Sequence, residues 1–337
     1  MKILVTGGAG FIGSNYILYA LGRHPDLHIV NMDALTYAGN LENLSSIDQD
    51  PRYTFYKGDI SHAADVAEVF GAHDFDAILN FAAESHVDRS LHHGVEAFIQ
   101  TNIQGTQLLL DAARDNKVPR YLQVSTDEVY GSLGAEGAFS ETSPVQPNNP
   151  YAATKAGADF LVQAAQRSHG LDAVITRCSN NYGPYQFPEK LIPLMIGNAL
   201  EDKPLPVYGD GMHVRDWIYV EDHNSAIDVV LRKGKNGSVY NIGSMNDVPN
   251  LHVVKTLLEH LGKSESLIQF VTDRPGHDRR YAMDATQMRD ELGWEPAHTF
   301  EDGLRQTIDW YLANREWLDR IRSGAYAEYY ENLYAGR

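Results

Sequence analysis

KILVTGGAGFIG, residues 2–13, opens the chain and decides its fold. The apolar residues ahead of Gly7 predict a short buried strand, and Ser14–Leu21 follows with a helical pattern. Between them, Gly7, Gly10 and Gly13 fit the spacing GxxGxxG. Such glycines let the backbone approach a pyrophosphate, whose charge then rests at the amino end of the helix. The stretch therefore predicts a dinucleotide-binding strand-turn-helix unit.

A carboxylate at the end of the second predicted strand selects the dinucleotide. The strand His28–Met32 is followed by Asp33, twenty positions after Gly13. A carboxylate there accepts hydrogen bonds from a ribose diol and repels a 2′-phosphate, which favours NAD over NADP. A simple loop-starting aspartate is the alternative at this position. The third strand, Tyr53–Lys57, leads to Asp59-Ile60, where contact with the adenine ring is expected.

Strands and helices continue to alternate through the first half of the chain. Further strands are expected at 76–81, 121–124 and 173–177. This order predicts an α/β fold with a Rossmann doubly wound parallel sheet and a smaller mixed α/β C-terminal substrate domain. We expect the NAD-binding domain to cover residues 1–180, with later segments at about 210–245 returning to it, and the second domain to cover mainly 181–337. Single helices are predicted over Val95–Arg114, Phe300–Leu312 and Trp317–Tyr334.

Two neighbouring acids follow the fifth strand, in the stretch VSTDEVYG at 124–131. Groups that do chemistry in an open parallel sheet lie just past the carboxyl ends of its strands. Close carboxylates do not both ionise easily, so one of Asp127 and Glu128 is expected to hold a proton while the other acts as a base. Thr126 adds a hydroxyl beside them. A solvated acidic pair that merely opens a loop is the alternative.

Tyr151 and Lys155 are four residues apart at the start of a predicted helix, so they share one face. A free phenol, with a pKa of about 10, is a poor base at neutral pH. An ammonium beside it and a positive nicotinamide nearby stabilise the phenolate and let it take a hydroxyl proton. Such a pair also arises by chance on helices, but here it follows a glycine turn and repeated strand–helix units.

Composition excludes several classes of function. A formal charge of −17 over 337 residues argues against nucleic-acid binding, and no apolar run approaches the length of a membrane helix. The single cysteine, Cys178, excludes an intrachain disulfide, and the 14 histidines show no zinc-type spacing, so no metal is expected. No signal peptide is evident at the start. Together these features predict a cytoplasmic protein.

Polar residues scattered through the second half suggest an anionic ligand. They include Lys190, Tyr208, Arg215, Asn250 and the segment 273–280. Arginine and lysine side chains that converge in space can hold a diphosphate. Taken singly, each is more often a surface charge.

With these residues in hand, the chain resembles the extended short-chain dehydrogenase/reductases, and within that superfamily the dTDP-glucose 4,6-dehydratase family. The superfamily marks are Gly7, Gly10, Gly13 and the Tyr151/Lys155 pair. The more specific marks are AAESHVDRS at 82–90, STDEVYG at 125–131 and RPGHDRR at 274–280. Related epimerases and decarboxylases lack the Asp-Glu pair. Two departures are small: Thr154 replaces a more usual serine, and the loop after Gly131 differs.

The resemblance implies a hydro-lyase that converts dTDP-glucose to dTDP-4-keto-6-deoxy-glucose with NAD. It implies homodimers that pair through two helices, here Val95–Arg114 and Tyr151–Ser168. The implied catalytic residues are Thr126, Asp127, Glu128, Tyr151 and Lys155. The implied NAD-binding residues are Gly7, Gly10, Phe11, Ile12, Gly13, Asp33, Asp59, Ile60, Ala82, Ser85, Thr101, Tyr151, Lys155 and Asn181. The implied substrate-binding residues are Ser85, Thr126, Asn180, Lys190, Leu191, Pro206, Tyr208, Arg215, Asn250, Arg274 and His277.

Two alternatives remain at the level of sequence. A nucleotide-sugar 4-epimerase or decarboxylase needs the same Tyr/Lys oxidation but no carboxylate pair. A catalytically silent NAD-sensing protein would need neither. Within the stretch 82–90, residues Glu84, His86, Asp88 and Arg89 are also compatible with an internal salt-bridge network.

Overall fold

The structure is a computed structural model that describes residues 1–92, 94–273 and 277–324. Within these ranges the strands form one large sheet and two small ones. The strands are β1 Lys2–Thr6, β2 His28–Asp33, β3 Tyr53–Lys57, β4 Ala77–Asn80, β5 Tyr121–Thr126, β6 Ala173–Cys178, β7 Asn180–Tyr182, β8 Leu205–Tyr208, β9 Val214–Tyr219, β10 Val239–Ile242, β11 Asp247–Pro249 and β12 Ile268–Val271.

The helices follow the strands along the chain. They are α1 Phe11–Arg23, α2 Ala63–Ala72, α3 Val87–His92, α4 Glu96–Phe98, α5 Thr106–Asp115, α6 Pro150–His169, α7 Leu191–Leu200, α8 Val220–Lys233, α9 Asn250–Leu261, α10 Thr286–Leu292, α11 Phe300–Ala313 and α12 Arg315–Arg322. Short 3-10 turns cover Leu41–Ile47, Asp127–Tyr130 and Glu265–Leu267, and a π-helical segment covers Ile99–Gly105. Among the described residues, no helix combines the length and apolar content that a bilayer crossing requires.

The main sheet has seven parallel strands in the order β10-β6-β5-β4-β1-β2-β3. The chain runs outward from β1 to β3 on one side, then returns to β4 beside β1 and runs outward on the other side. The prediction of a Rossmann doubly wound sheet is confirmed. In such sheets the reversal between β1 and β4 leaves a crevice outside their carboxyl ends, where ligands bind.

Burial on both faces explains the continuous apolar run in β1. In β1, Ile3 and Val5 pack into one core that contains Tyr16, while Leu4 packs into the core on the opposite face. Ile3, Leu4 and Val5 are all fully buried. A strand covered by helices on both sides has no solvent face, so it shows a continuous apolar run rather than an alternating one.

The second half of the chain builds two small sheets. One has the order β11-β9-β7, and the other pairs β12 with β8. Their shared core includes Met195, Trp217, Val254 and Leu257. The segment α8–β10 instead joins the larger layer, because α8 packs against α1 and β10 pairs with β6. The predicted domain limits at 180 and 181, with a return at about 210–245, stay a prediction.

Two predicted helices differ from the structure. The helix expected over Val95–Arg114 is interrupted by the π-helical segment Ile99–Gly105, which no local pattern had indicated. The last helix ends at Arg322 within the described residues, whereas the sequence predicted a helix to Tyr334. Residues 325–337 lie outside the described residues.

Candidate active site

A cavity of about 440 Å³ opens along the carboxyl edge of the main sheet. Its lining begins at the glycine turn after β1 and reaches His277. We call the part lined by the loops after β1 to β4 the cofactor end, and the part lined by residues 180–277 the substrate end. The predicted site residues that line the cavity are Gly7, Gly10, Phe11, Ile12, Gly13, Asp33, Asp59, Ile60, Ala82, Ser85, Thr101, Thr126, Glu128, Tyr151, Lys155, Asn180, Asn181, Lys190, Leu191, Pro206, Tyr208, Arg215, Asn250 and His277.

The glycine turn leaves room at the amino end of α1. Gly7 has a φ of +68°, and a Cβ on it would lie 2.7 Å from the backbone of Ala82. A Cβ on Gly13 would lie 2.4 Å from the carbonyl oxygen of Gly7. Gly10 caps the helix and adds no side chain over its first amide groups. The turn therefore fits the pyrophosphate of a dinucleotide, which needs close approach to exposed backbone N–H groups.

Asp33 ends β2 and ties two loops of the cofactor end together. Its carboxylate accepts hydrogen bonds from the backbone N–H of Ala9 at 2.9 Å and of Leu35 at 2.8 Å. Burial raises the pKa of Asp33, and these two backbone hydrogen bonds oppose the rise. Each oxygen keeps a further lone pair. The side chain can therefore accept further hydrogen bonds, and its predicted contact with a ribose diol stays a prediction.

The end of β5 places the two acids in different surroundings. The hydroxyl of Thr126 donates to Asp127 Oδ1 at 3.2 Å and accepts from the N–H of Glu128 at 3.3 Å. Glu128 lines the cavity, whereas Asp127 lies beside it and is only 2% exposed. Burial, and then the neighbouring Glu128 carboxylate, raises the pKa of Asp127 well above its usual value. The arrangement favours a protonated Asp127, which is the asymmetry expected of an acid and a base.

Tyr151 and Lys155 project from the first turns of α6. Burial, and then the charge of Glu128, raises the pKa of Tyr151 well above its usual value, while a hydrogen bond with Thr126 opposes the rise. The ammonium of Lys155 donates to the carbonyl of Val124 at 2.7 Å. Burial lowers the pKa of Lys155, and the charge of Asp159 opposes that change. Burial therefore favours the neutral phenol form of Tyr151.

Six separated segments supply the predicted residues of the substrate end. Lys190 and Leu191 start α7, while Pro206 and Tyr208 belong to β8. The other segments bring Asn180, Arg215, Asn250 and His277.

Arg215 is 5% exposed and donates to the carbonyls of Val214 and Asp278, both at 2.8 Å. These contacts hold its guanidinium over the ring of Tyr281 at 4.6 Å. Arg274 lies outside the described residues.

Comparison with known proteins agrees with this geometry. The GDP-mannose 4,6 dehydratase family matches residues 4–307. The chain is similar to the dTDP-glucose 4,6-dehydratase of Xanthomonas campestris, with 54% identity over 96% of each chain.

Two crystal structures of dTDP-glucose 4,6-dehydratases are also similar. The enzyme of Bacillus anthracis, in complex with NAD, has a TM-score of 0.90 and 51% identity, over 95% of this chain and 99% of that one. The enzyme of Streptomyces venezuelae, with NAD and TYD bound, has a TM-score of 0.92 and 49% identity, over 95% and 100%. The chain belongs to the dTDP-glucose 4,6-dehydratase family.

In this dehydratase the alternative interpretation of the stretch 82–90 is partly correct. Arg89 and Glu84 form an ion pair at 3.1 Å, so these two residues do contribute to an internal network. The guanidinium of Arg89 also lies 3.6 Å from the centre of the Tyr37 ring. Ser85 from the same stretch lines the cavity. The stretch 82–90 therefore contributes both to an internal ion-pair network and to the lining of the cavity.

Several lining residues of the dehydratase cavity are not among those predicted from the sequence, and two of them, Tyr37 and Glu189, contact each other. Tyr37 donates to Glu189 Oε1 at 3.1 Å and to the carbonyl of Ser85 at 3.3 Å, so it links the two ends of the cavity. Burial is the largest cause of the raised pKa of Glu189. The only sequence signal for these two residues was position, because Tyr37 lies close after Asp33 and Glu189 lies directly before Lys190.

One cluster bears on the expectation of no metal. Donor atoms of His213, Asp273 and His277 lie within 4.8 Å of one another. The two imidazole rings, however, stack at 3.7 Å with 14° between their planes. Parallel rings direct their nitrogen lone pairs side by side rather than toward one ion. The expectation of no metal stays a prediction.

Proposed function

We propose that this protein converts dTDP-glucose to dTDP-4-keto-6-deoxy-glucose, with NAD as its cofactor. The observation that carries the proposal is a cavity in which Tyr151 and Lys155 of α6 meet Thr126, the last residue of β5, and Glu128. The glycine turn lies at one end of this cavity, and Lys190 lies at the other.

The chemistry begins at carbon 4 of the hexose. The hydrogen on carbon 5 is not acidic until carbon 4 is a ketone, so oxidation must precede the loss of water. When bound, NAD accepts a hydride from carbon 4 and later returns it to carbon 6. Tyr151 takes the proton of the carbon-4 hydroxyl, and Thr126 and Lys155 assist it. Because burial favours the phenol form of Tyr151, this proton transfer depends on charge that the ligands bring to the site.

The two acids then share the elimination. Glu128 removes the proton from carbon 5, which leaves a stabilised enolate. Asp127 protonates the departing hydroxyl on carbon 6, a role that suits a buried carboxyl whose pKa is raised. After the hydride reaches carbon 6, a proton is delivered to carbon 5. A 4-epimerase needs only the first oxidation, so the carboxylate pair supports a dehydratase.

The lining residues divide between the two ligands. We propose that the cofactor end, from the glycine turn to Asp59 and Ile60, holds NAD together with Ala82, Ser85, Thr101 and Asn181. We propose that the substrate end holds the nucleotide diphosphate through Lys190 and Arg215. The remaining proposed substrate contacts are Ser85, Thr126, Asn180, Leu191, Pro206, Tyr208, Asn250, Arg274 and His277.

Isotope transfer tests the reaction directly. With substrate deuterated at carbon 4, we expect a product that carries that deuterium at carbon 6 of the same molecule. Deuterium found in free NADH would instead indicate an ordinary dehydrogenase, and a 4-epimer product would indicate an epimerase. Parallel incubation with UDP-glucose measures how strictly the thymine base is required.

We also propose a homodimer that pairs through the helices around residues 95–114 and 151–168. Large apolar side chains remain exposed on these helices, with Phe160 54% and Ile99 45% exposed. Sedimentation of the parent protein and of Phe160→Glu tests this, since we expect only the variant to sediment as a monomer.

The buried thiol of Cys178 agrees with a proposed cytoplasmic location, where thiols stay reduced.

A further inference from the structure

Asn149 connects the two catalytic elements of the site through one side chain. It lies just before α6 with extended backbone angles, φ −139° and ψ 163°, and Pro150 follows it. Its Oδ1 accepts a hydrogen bond from the N–H of Ala152 at 2.9 Å, which caps the helix. Its Nδ2 donates to Glu128 Oε2 at 3.2 Å. The residue that begins the tyrosine-bearing helix therefore also contacts the proposed base.

Chemistry fixes the orientation of this amide. The backbone N–H of Ala152 can only donate, so Oδ1 of Asn149 must face it. An ionised carboxylate can only accept, so the amide nitrogen must face Glu128. The flipped amide would set two donors together and two acceptors together. Asn149 is 8% exposed, so water does not easily replace either bond.

Glu128 needs a fixed orientation to act as a base toward carbon. It stands on the 3-10 turn Asp127–Tyr130, and its long side chain reaches the cavity, where its single bonds can rotate. A hydrogen bond to one carboxylate oxygen holds the group in place, and such a bond is stronger to the ionised form than to the neutral acid. Asp127 receives the hydroxyl of Thr126 instead. The amide donor thus distinguishes the two acids.

We infer that Asn149 is a positioning residue that orients Glu128 for proton removal from carbon 5. The inference rests on the proposed function. It assigns Asn149 two separable roles, because a helix cap needs only the acceptor, whereas Glu128 needs the donor. Serine keeps the acceptor of a helix cap but lacks the amide nitrogen, and its one O–H donor stands on a shorter side chain.

Asn149→Ser tests the donor while it keeps the cap. With dTDP-glucose, we expect the first reduction of bound cofactor to keep the parent rate, because Tyr151 and its helix are unchanged. We expect overall turnover to fall about 10- to 100-fold, as the loss of a hydrogen bond to a charged group predicts. Reduced nicotinamide should accumulate during turnover, visible in its absorbance. Asn149→Asp, which turns a carboxylate toward Glu128, should slow dehydration further.

Thr299→Ala is the matched control for capping. Thr299 Oγ1 accepts from the N–H of Asp302 at 3.1 Å at the start of α11, so its loss removes a cap away from the acids. We expect a lower melting temperature without accumulation of reduced cofactor.

The inference is overturned if Asn149→Ser turns over at the parent rate. It is also overturned if that variant slows oxidation and dehydration equally and melts earlier. A parent protein that is inert toward dTDP-glucose overturns the proposed function and the inference with it.

Discussion

The cofactor end and the substrate end of the cavity are built in different ways. The cofactor end takes its lining from successive loops at the edge of one parallel sheet, where each position follows from the strand before it. The substrate end takes its lining from several segments between Asn180 and His277, carried by two small sheets and two helix starts. The cofactor end depends on the shape of the backbone. The substrate end depends on side chains that converge from distant positions in the sequence. The proposed catalytic residues lie where the two ends meet.

The largest effect is expected at this junction. Glu128→Gln keeps the size of the side chain but removes the base, so we expect turnover to fall about 10²- to 10⁴-fold. Oxidation at carbon 4 should survive, so reduced cofactor should be trapped, which absorbance measures. Glu136→Gln changes an exposed glutamate in the following loop and should retain parent activity. Full turnover by Glu128→Gln would remove this residue from the role of base.

A backbone change tests the cofactor end. Gly7→Ala forces a Cβ to within 2.7 Å of the Ala82 backbone at a φ of +68°. We expect a stability loss of about 1–3 kcal/mol or more and weaker NAD binding, measured by thermal melting and by titration. The control is Gly22→Ala in α1, where a Cβ meets nothing within 4 Å. That change should stabilise the protein by about 0.5–1 kcal/mol, because alanine favours a helix. Equal effects at both glycines would contradict the assigned role of the turn.

A charge change tests the substrate end. Lys190→Ala should raise the KM for dTDP-glucose about tenfold or more, because a hydrogen bond to the diphosphate is lost. NAD binding should not change, because Lys190 lies in the substrate end. Lys203→Ala removes an exposed lysine that pairs with Glu201 and should leave both constants unchanged. If Lys190→Ala weakened the binding of NAD instead, the division of the cavity into a cofactor end and a substrate end would be wrong.

The smallest effect at neutral pH is expected at His223 of α8, whose partner Asn181 lines the cavity. Its Nδ1 lies 2.8 Å from Asn181 Oδ1, and burial lowers the pKa of His223 from 6.5 to about 3. The unfolded chain binds this proton as pH falls below 6.5, while the folded protein resists it until about pH 3. The stabilising contribution is therefore present above pH 6.5 and is lost progressively as pH falls, by about 1.4 kcal/mol per pH unit.

Urea unfolding at several pH values, for the parent and for His223→Gln, measures this contribution. The difference between the two proteins isolates His223 from carboxyl groups that titrate in the same range. We expect stability to fall more steeply in the parent than in the variant between pH 6 and pH 4. Parallel curves would contradict a neutral buried His223.

The same contrast explains what the sequence could predict. The glycine turn, Asp33, and the strand at Tyr53–Lys57 were predictable because each depends on a local pattern of residues. The family resemblance then supplied the substrate-end residues, which spacing alone did not connect. The contacts of Tyr37 with Glu189 and of Asn149 with Glu128 were not predictable from the sequence. Tyr37 and Glu189 lie far apart in the chain. The sequence around Asn149 indicates only a residue suited to a helix cap, and its contact with Glu128 is visible only in three dimensions.

The π-helical segment Ile99–Gly105 carries a consequence for insertions and deletions. It holds Thr101 at the cavity wall, and it holds Asn102, whose amide donates to the carbonyl of Glu84 at 3.0 Å. A π turn contains one residue more than an α turn, so deleting one residue would let a regular helix form. The wider turn absorbs the extra residue, so the deletion would leave the flanking turns near their present register but would shift the residues of the segment itself, including Thr101 and Asn102, away from their present contacts. The segment should therefore tolerate changes of side chain far better than changes of length.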